Sequence, residues 1–325
     1  MDDLTTLMRQ AVEEVEPTDR RAELHEAVAA ASRRRFRRTV AGGLLAAAVV
    51  VTGVAVTLHS TDDPEPEPVG PPRAIDRSRD HRPAYALYYL GTTPQGNRLY
   101  REFRSGPGPD MTPATALSLL QDTPDDPDYQ PSLWPTGTFS GAQVVNDVID
   151  VEVADPASVG HRLDGMSAAD AALSVEQVIY TVQAAVQEEL PVQFTHDGSP
   201  VAEVLGVPTG EPLAAGDQLD VLALASISDP SERRVVEDSF SARGRASSFE
   251  GNIPWQLRGP DGSVVLSGAA QSYGWEEHLY PWATGRIDVS GLPPGDYTFL
   301  VMTDDPSGGA EGAGPTVDTR TIIIK

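Results

Sequence analysis

A chain of 325 residues is long enough for two or three compact units of roughly 100–200 residues each, and 29 glycines and 28 prolines beside few aromatics favour strands joined by many turns. The absence of cysteine excludes disulfides, thiolate catalysis, cysteine-based zinc sites and lipid attachment at an N-terminal cysteine. The net charge of −24 is unevenly spread: residues 1–38 balance eight acids with eight bases, so the whole excess lies beyond them, and a field of that sign sets nucleic acid aside as a partner.

Residues 1–38 carry two helical patterns. Leu4, Leu7, Met8, Val12 and Val15 share one face, Pro17 interrupts, and Thr18 or Asp19 caps a second stretch with Leu24, Ala27, Val28 and Ala31. Such an amphipathic tail can dock on a cytoplasmic partner such as a sigma factor or kinase, or lie against the anionic leaflet through its arginines. Thr39–Leu58 (TVAGGLLAAAVVVTGVAVTL) is an uncharged run of 20 residues. At 1.5 Å rise per residue that length spans the roughly 30 Å hydrocarbon layer. Arg33, Arg34, Arg35, Arg37 and Arg38 precede it and Asp62, Asp63, Glu65 and Glu67 follow, so the positive-inside rule places the N-terminus in the cytoplasm and the C-terminus outside the plasma membrane. A cleaved signal peptide would need a shorter leader and an A-x-A site, and a helix apolar on every face suits lipid better than a small soluble core. Residues 59–83, with Pro64, Pro66, Pro68, Pro71 and Pro72, form an extended spacer.

The expected fold is therefore multidomain: one N-terminal transmembrane α-helix, an α+β domain over 84–211 and an all-β sandwich over 212–325. In the first domain Ala84–Gly91 and Arg98–Phe103 read as strands around a turn, Thr112–Gln121 as a short helix and Val144–Val153 as a strand. Ser167–Leu190 places Val175, Val178, Ile179, Val182 and Val186 on one helical face, and Pro191–Gly198 returns as a strand into a turn. Beyond Pro212 seven short strands are expected: Leu219–Ala223, Val235–Ala242, Ile253–Leu257, Ser263–Leu266, Gly285–Val289, Tyr297–Met302 and Thr316–Ile324.

Particular residues carry two resemblances. YALYYLG, TALSLLQDTP, Leu133-Trp134-Pro135-Thr136-Gly137-Thr138, Gln177-Val178-Ile179-Tyr180-Thr181 and Asp197-Gly198-Ser199-Pro200-Val201 resemble the GerMN domain of spore-germination and actinobacterial envelope proteins over Tyr88–Val201. Ala242-Arg243-Gly244-Arg245-Ala246, Phe249 to Leu257, Gly262-Ser263-Val264-Val265 and Gly291-Leu292-Pro293-Pro294-Gly295-Asp296-Tyr297 are similar to the immunoglobulin-like domain of bacterial spore germination over Asp220–Lys325. The first resemblance implies a module that assembles side by side in ring-like structures, hence self-assembly. The second implies an adhesive unit, and neither implies catalytic residues.

The residues themselves point the same way. His25, His59, His81, His161, His196 and His278 are scattered without H-E-x-x-H spacing, and no G-x-S-x-G elbow positions a nucleophile. No enzymatic activity, metal or cofactor is expected. The loop Asp122–Asp128 (DTPDDPD) offers carboxylates to calcium but lacks EF-hand order, and reads as a solvated acidic loop. Ser272–Trp282 crowds Tyr273, Trp275, Tyr280 and Trp282 around Glu276 and His278; this is a candidate interaction surface, or a set of rings buried in the sandwich. The expected function is a membrane-anchored extracytoplasmic binding or scaffold protein that contacts an envelope protein or cell-wall component. The alternative is a transmembrane signalling protein whose tail regulates a cytoplasmic factor.

Overall fold

The computed structural model describes residues 83–305 and 313–325, so the expectations for the tail, for Thr39–Leu58 and for the spacer through Arg82 lie outside the described residues. Among the described residues no helix is long and apolar enough to cross a membrane. They belong to one compact unit, which is mostly β.

The hairpin of β1 (Ala84–Thr93) and β2 (Gly96–Ser105) stands apart from the other sheets. Tyr85, Leu87 and Tyr89 on one face of β1 enter the core of the α+β half, while Tyr88 and Leu90 on the other join Leu99, Tyr180, Val221, Leu222 and Leu279. A strand covered on both faces has no polar side to show, which is why AYALYYL reads as a nearly continuous apolar run. Helix α1 (Pro113–Leu120) starts where expected, with Thr112 accepting from the Thr115 amide at 3.1 Å and Pro113 in its first turn.

The single strand expected over Val144–Val153 is a hairpin of β3 (Phe139–Val145) and β4 (Val148–Val153). Asn146 and Asp147 turn it with φ of 49° and 61°, the left-handed pair that a two-residue hairpin requires. After the one-turn helix α2 (Pro156–Val159), Ser167 caps α3 (Ala168–Val186) by accepting from the Asp170 amide, and α3 carries the chain over to β5 (Val192–His196), which runs parallel to β4. Asp197 and Gly198, both at positive φ, turn β5 into β6 (Ser199–Pro200) and complete the sheet β3-β4-β5-β6. The small hairpin β7 (Glu203–Val204) and β8 (Val207–Pro208) follows.

The polar residues of α3 have a structural role. Backbone groups on the edge of β1 not paired with β2 need partners. Gln177 Nε2 donates to the Tyr88 carbonyl at 2.8 Å, and the Tyr88 amide donates to Thr181 Oγ1 at 3.3 Å.

The chain on either side of the expected boundary at residue 212 pairs back on the α+β half. Leu213 and Val192 exchange two backbone hydrogen bonds at 2.8 Å, and the Ala223 amide donates to the Leu99 carbonyl at 2.9 Å, so this stretch belongs with the α+β half. The strand expected at Leu219–Ala223 is instead the one-turn helix α4 (Gln218–Val221), begun by Asp217, whose side chain accepts from the Leu219 amide.

The all-β half comprises β9 (Ala225–Asp229), β10 (Arg234–Val236), β11 (Ser239–Phe240), β12 (Arg243–Ala246), β13 (Asn252–Arg258), β14 (Val264–Ser272), β15 (Tyr280–Ala283), β16 (Ile287–Asp288), β17 (Gly295–Met302) and β18 (Val317–Ile324). Sequence reasoning missed β9, β12 and β15 and merged β10 with β11. Hydrogen bonding links eight of these strands in the order β10-β18-β17-β13-β14-β15-β12-β9, with β11-β16 as a separate ribbon. The sheet wraps around Ile253, Leu257, Trp282, Phe299, Val301 and Ile322.

The two halves meet at a buried ionic cluster. Asp126, Asp318 and Arg320 are 1%, 2% and 3% exposed. Arg320 Nη1 donates to Asp126 Oδ2 and, at 3.1 Å, to Asp318 Oδ1, while Nη2 donates to the Ile227 carbonyl at 2.9 Å. Asp318 also accepts from Tyr129 Oη at 2.8 Å and from the amides of Ile227 at 2.5 Å and Thr319 at 3.0 Å. The loop Asp122–Asp128 is therefore not simply solvated. Glu102 accepts from the amides of Asp125 and Asp126 at 2.9 and 3.0 Å and pairs with Arg104 at 2.7 Å, which strings the loop along β2 and delivers Asp126 to Arg320.

One guanidinium serves two carboxylates, so an excess negative charge is buried. Burial pushes Asp126 up to about 7 against the pull of Arg320, and it also raises Asp318. Asp318 has the richer set of donors, so of the two carboxyls Asp126 is the one that more readily holds a proton. Burial opposes the charge on Arg320 too, but Asp318, Tyr129 and Asp126 outweigh it and hold the guanidinium protonated.

Arg320→Met leaves Asp318 without its counter-ion and is expected to lower unfolding stability by about 3–5 kcal/mol, read from the midpoint of urea unfolding. Because the folded state keeps the Asp126 proton where the unfolded state has lost it, stability falls as pH rises from about 4 to about 7 and the contribution is level above that. Asp126→Asn should flatten this segment of a plot of melting temperature against pH.

Candidate functional site

Where the hairpin meets the all-β half, an open groove of about 800 Å³ is lined by Ala84, Arg101 and Phe103 on one side and by Ser228, Asp229, Arg243, Arg245, Tyr273 and Trp282 among others on the other. That volume lies in the range of small-ligand sites, roughly 300–1,000 Å³. Three arginines face one acid, Asp229, on the wall of a protein whose net charge is −24.

Strand alternation places Arg243 and Arg245 on the open face of β12, because Gly244 and Ala246 turn inward. Gly244 permits this arrangement. A Cβ there would lie 1.8 Å from the Ser226 carbonyl oxygen and 2.7 Å from the Trp282 ring, at the point where the pairing of β12 with β9 shifts register. Arg243 lies 3.9 Å from Asp229, which Arg234 approaches at the same distance.

Arg101, on β2, is half-buried. Its Nη2 donates to Ser228 Oγ at 2.7 Å and its guanidinium carbon sits 5.0 Å from the centroid of the Phe103 ring. Burial lowers its pKa, Tyr88 opposes that effect, and the like charge of Arg245 adds to it. A smaller void of about 40 Å³ beside the groove is lined by Arg101 and Arg245 together with Tyr88, Tyr180, Gln218 and Leu279.

Among the described residues, the buried side-chain polar atoms without a hydrogen-bond partner are Arg101 Nε, Gln218 Oε1 and Trp282 Nε1. All three belong to residues lining these two adjoining spaces. Buried polar groups are almost always satisfied, so their concentration here distinguishes these two spaces from the rest of the described interior.

The aromatic segment divides between core and surface. Trp282 is 3% exposed and packs in the core of the all-β half, contrary to a wholly exposed platform, because β15 turns its ring inward against Gly244. Tyr273 is 95% exposed and lines the groove. Trp275 meets Phe249 edge-on at 4.9 Å, and His278 stacks on Tyr280 at 3.9 Å. Glu276 sits at φ 70° with its amide donating to Ser247 Oγ. Trp275, Glu276, His278 and Tyr280 are outside the groove lining. Sequence reasoning missed Arg101, Phe103, Arg243 and Arg245. The available signal was R-G-R at strand spacing, in a region holding only 16 bases against 40 acids.

Among the described residues no group of three His, Asp or Glu side chains could hold a metal ion. Residues 224–310 match the family described as the immunoglobulin-like domain of bacterial spore germination. The match begins beside β9, where the all-β half begins in the structure. No curated protein matches the chain.

Gly244→Ala tests the close approach of β12 to β9. The added methyl group meets backbone, so a loss of about 3 kcal/mol is expected, measured by chemical unfolding followed through tryptophan fluorescence.

Proposed function

We propose that the chain is a membrane-anchored, extracytoplasmic binding or scaffold protein of the bacterial cell envelope, and that it engages its partner through the groove between its halves. One observation carries this reading: side chains of both halves line a single concave surface that concentrates arginine and exposed aromatic rings. Arginine and aromatic anchors are the residue types that dominate binding energy at interfaces. The family match supports a connection with spore germination or envelope assembly for the all-β half. The order of elements in the α+β half, a hairpin followed by helices and a small sheet with a parallel crossover, supports a GerMN-type module. The apolar run Thr39–Leu58 between arginines and acids supports the anchor and its orientation.

The reading is tested by placing a photo-crosslinking residue at Tyr273 in intact cells, with the same residue at Val144 as a distant control and an engineered cysteine at Asp62 reporting topology. Crosslinks to an envelope protein or wall polymer from position 273 alone, with the cysteine reached by an impermeant reagent, are the expected result. A protected cysteine, or cytoplasmic proteins as crosslinked partners, would overturn it.

A further inference from the structure

We propose that the groove takes an acidic sugar, with its carboxylate or phosphate between Arg101 and Arg245 and its ring against Tyr273. This assignment rests on the groove being the binding surface of the chain, as argued above, and adds the chemistry of what it binds.

The charge pattern points to an anion. Arg243 has Asp229 nearby, and Arg101 has a serine hydroxyl and an aromatic ring, but among the described residues the guanidinium of Arg245 makes no hydrogen bond or ion pair. Arg101 and Arg245, brought from different halves, line both the groove and the smaller void beside it, and their like charges oppose one another there. An oxyanion held by both guanidinium groups would relieve that repulsion. Carboxylate and phosphate match the planar donor fork of arginine, and such bonds are about twice as strong as neutral ones. Arg101 Nε, buried without a partner, supplies a donor that the protein itself leaves unused.

The second element of the site is the ring. Tyr273 is almost fully exposed, which is unusual for an aromatic residue in a folded domain, and it stands on the wall of the same groove. Its face and that of Phe103, 37% exposed, offer flat apolar area for the C–H face of a sugar, while the open groove leaves room for hydroxyl groups to stay hydrated. A long acidic peptide would need a more extended track of basic residues, and the chain as a whole carries a net charge of −24.

The test uses the full-length chain in nanodiscs, titrated calorimetrically with N-acetylmuramic acid, glucose 1-phosphate, their uncharged counterparts N-acetylglucosamine and glucose, and inorganic phosphate alone. Binding of one or both acidic sugars, with neither neutral sugar binding and phosphate alone at least about tenfold weaker, is expected; which of the two acids binds more tightly distinguishes carboxylate from phosphate. Arg245→Gln, at an exposed position whose side chain holds no internal hydrogen bond or ion pair among the described residues, should weaken binding by about tenfold or more, and Tyr273→Ala by about threefold. Equal binding of neutral and acidic sugars, phosphate alone binding as well as the sugars, or an unchanged affinity in Arg245→Gln would overturn the proposal. If no sugar binds but crosslinking from position 273 to an envelope protein is lost in Arg245→Gln, the acidic-sugar inference falls while the binding reading stands.

Discussion

A single buried guanidinium holds two halves of this protein in register. Arg320 and Asp318 stand two residues apart on β18, so strand alternation sends both to the same face, where they meet the backbone of β9 from across the sheet. Asp126 and Tyr129 arrive from the α+β half and close the cluster. Buried ion pairs of this kind contribute modestly to net stability, but they are intolerant of misplacement, since each shift strands a charge in low dielectric. The same junction brings Arg101 of β2 and Arg245 of β12 to the lining of one groove.

The hairpin does the complementary apolar work. Its inner face completes the α+β core through Tyr85, Leu87 and Tyr89, and its outer face builds the junction cluster with Tyr180, Leu222 and Leu279. Tyrosines suit this position because their rings fill both cores while their hydroxyls reach backbone acceptors: Tyr100 Oη donates to the Val317 carbonyl at 2.9 Å and Tyr180 Oη to that of Gly216 at 2.7 Å. Apolar burial thus sets the distance between the halves, and the ionic cluster sets their alignment.

Features encoded by neighbours in sequence were legible; those encoded by distant partners were not. The short helix after Thr112, the apolar stripe of α3 and the turn at Asp197-Gly198 each depend on a few adjacent residues, and each forms as expected. Asn146-Asp147 lay hidden because β-branched residues flank it on both sides and the alternation continues through the turn. Asp126 read as one more solvated carboxylate because its partner Arg320 lies 194 residues away. The aromatic segment was visible, but periodicity over so short a stretch could not say that Trp282 turns inward while Tyr273 turns out. The groove itself was invisible, since Arg101 and Arg245 belong to different halves and lie 144 residues apart in sequence.

The position of the hairpin also has a mechanical meaning. β1 begins at Ala84, so tension applied to the chain from its N-terminal side acts first on the strand that both cores share. Ala84 pairs with Ser105 at the open end of the hairpin, and a pull there that separates the strands would unzip them one pair at a time from that end. Opening the first pairs would shift Arg101 and Phe103 before it disturbed the sheet on which Arg243, Arg245 and Tyr273 stand. A load-bearing tether at this end would therefore couple force to the shape of the groove, so that stretching alters the grip of the protein on whatever it holds before either half unfolds.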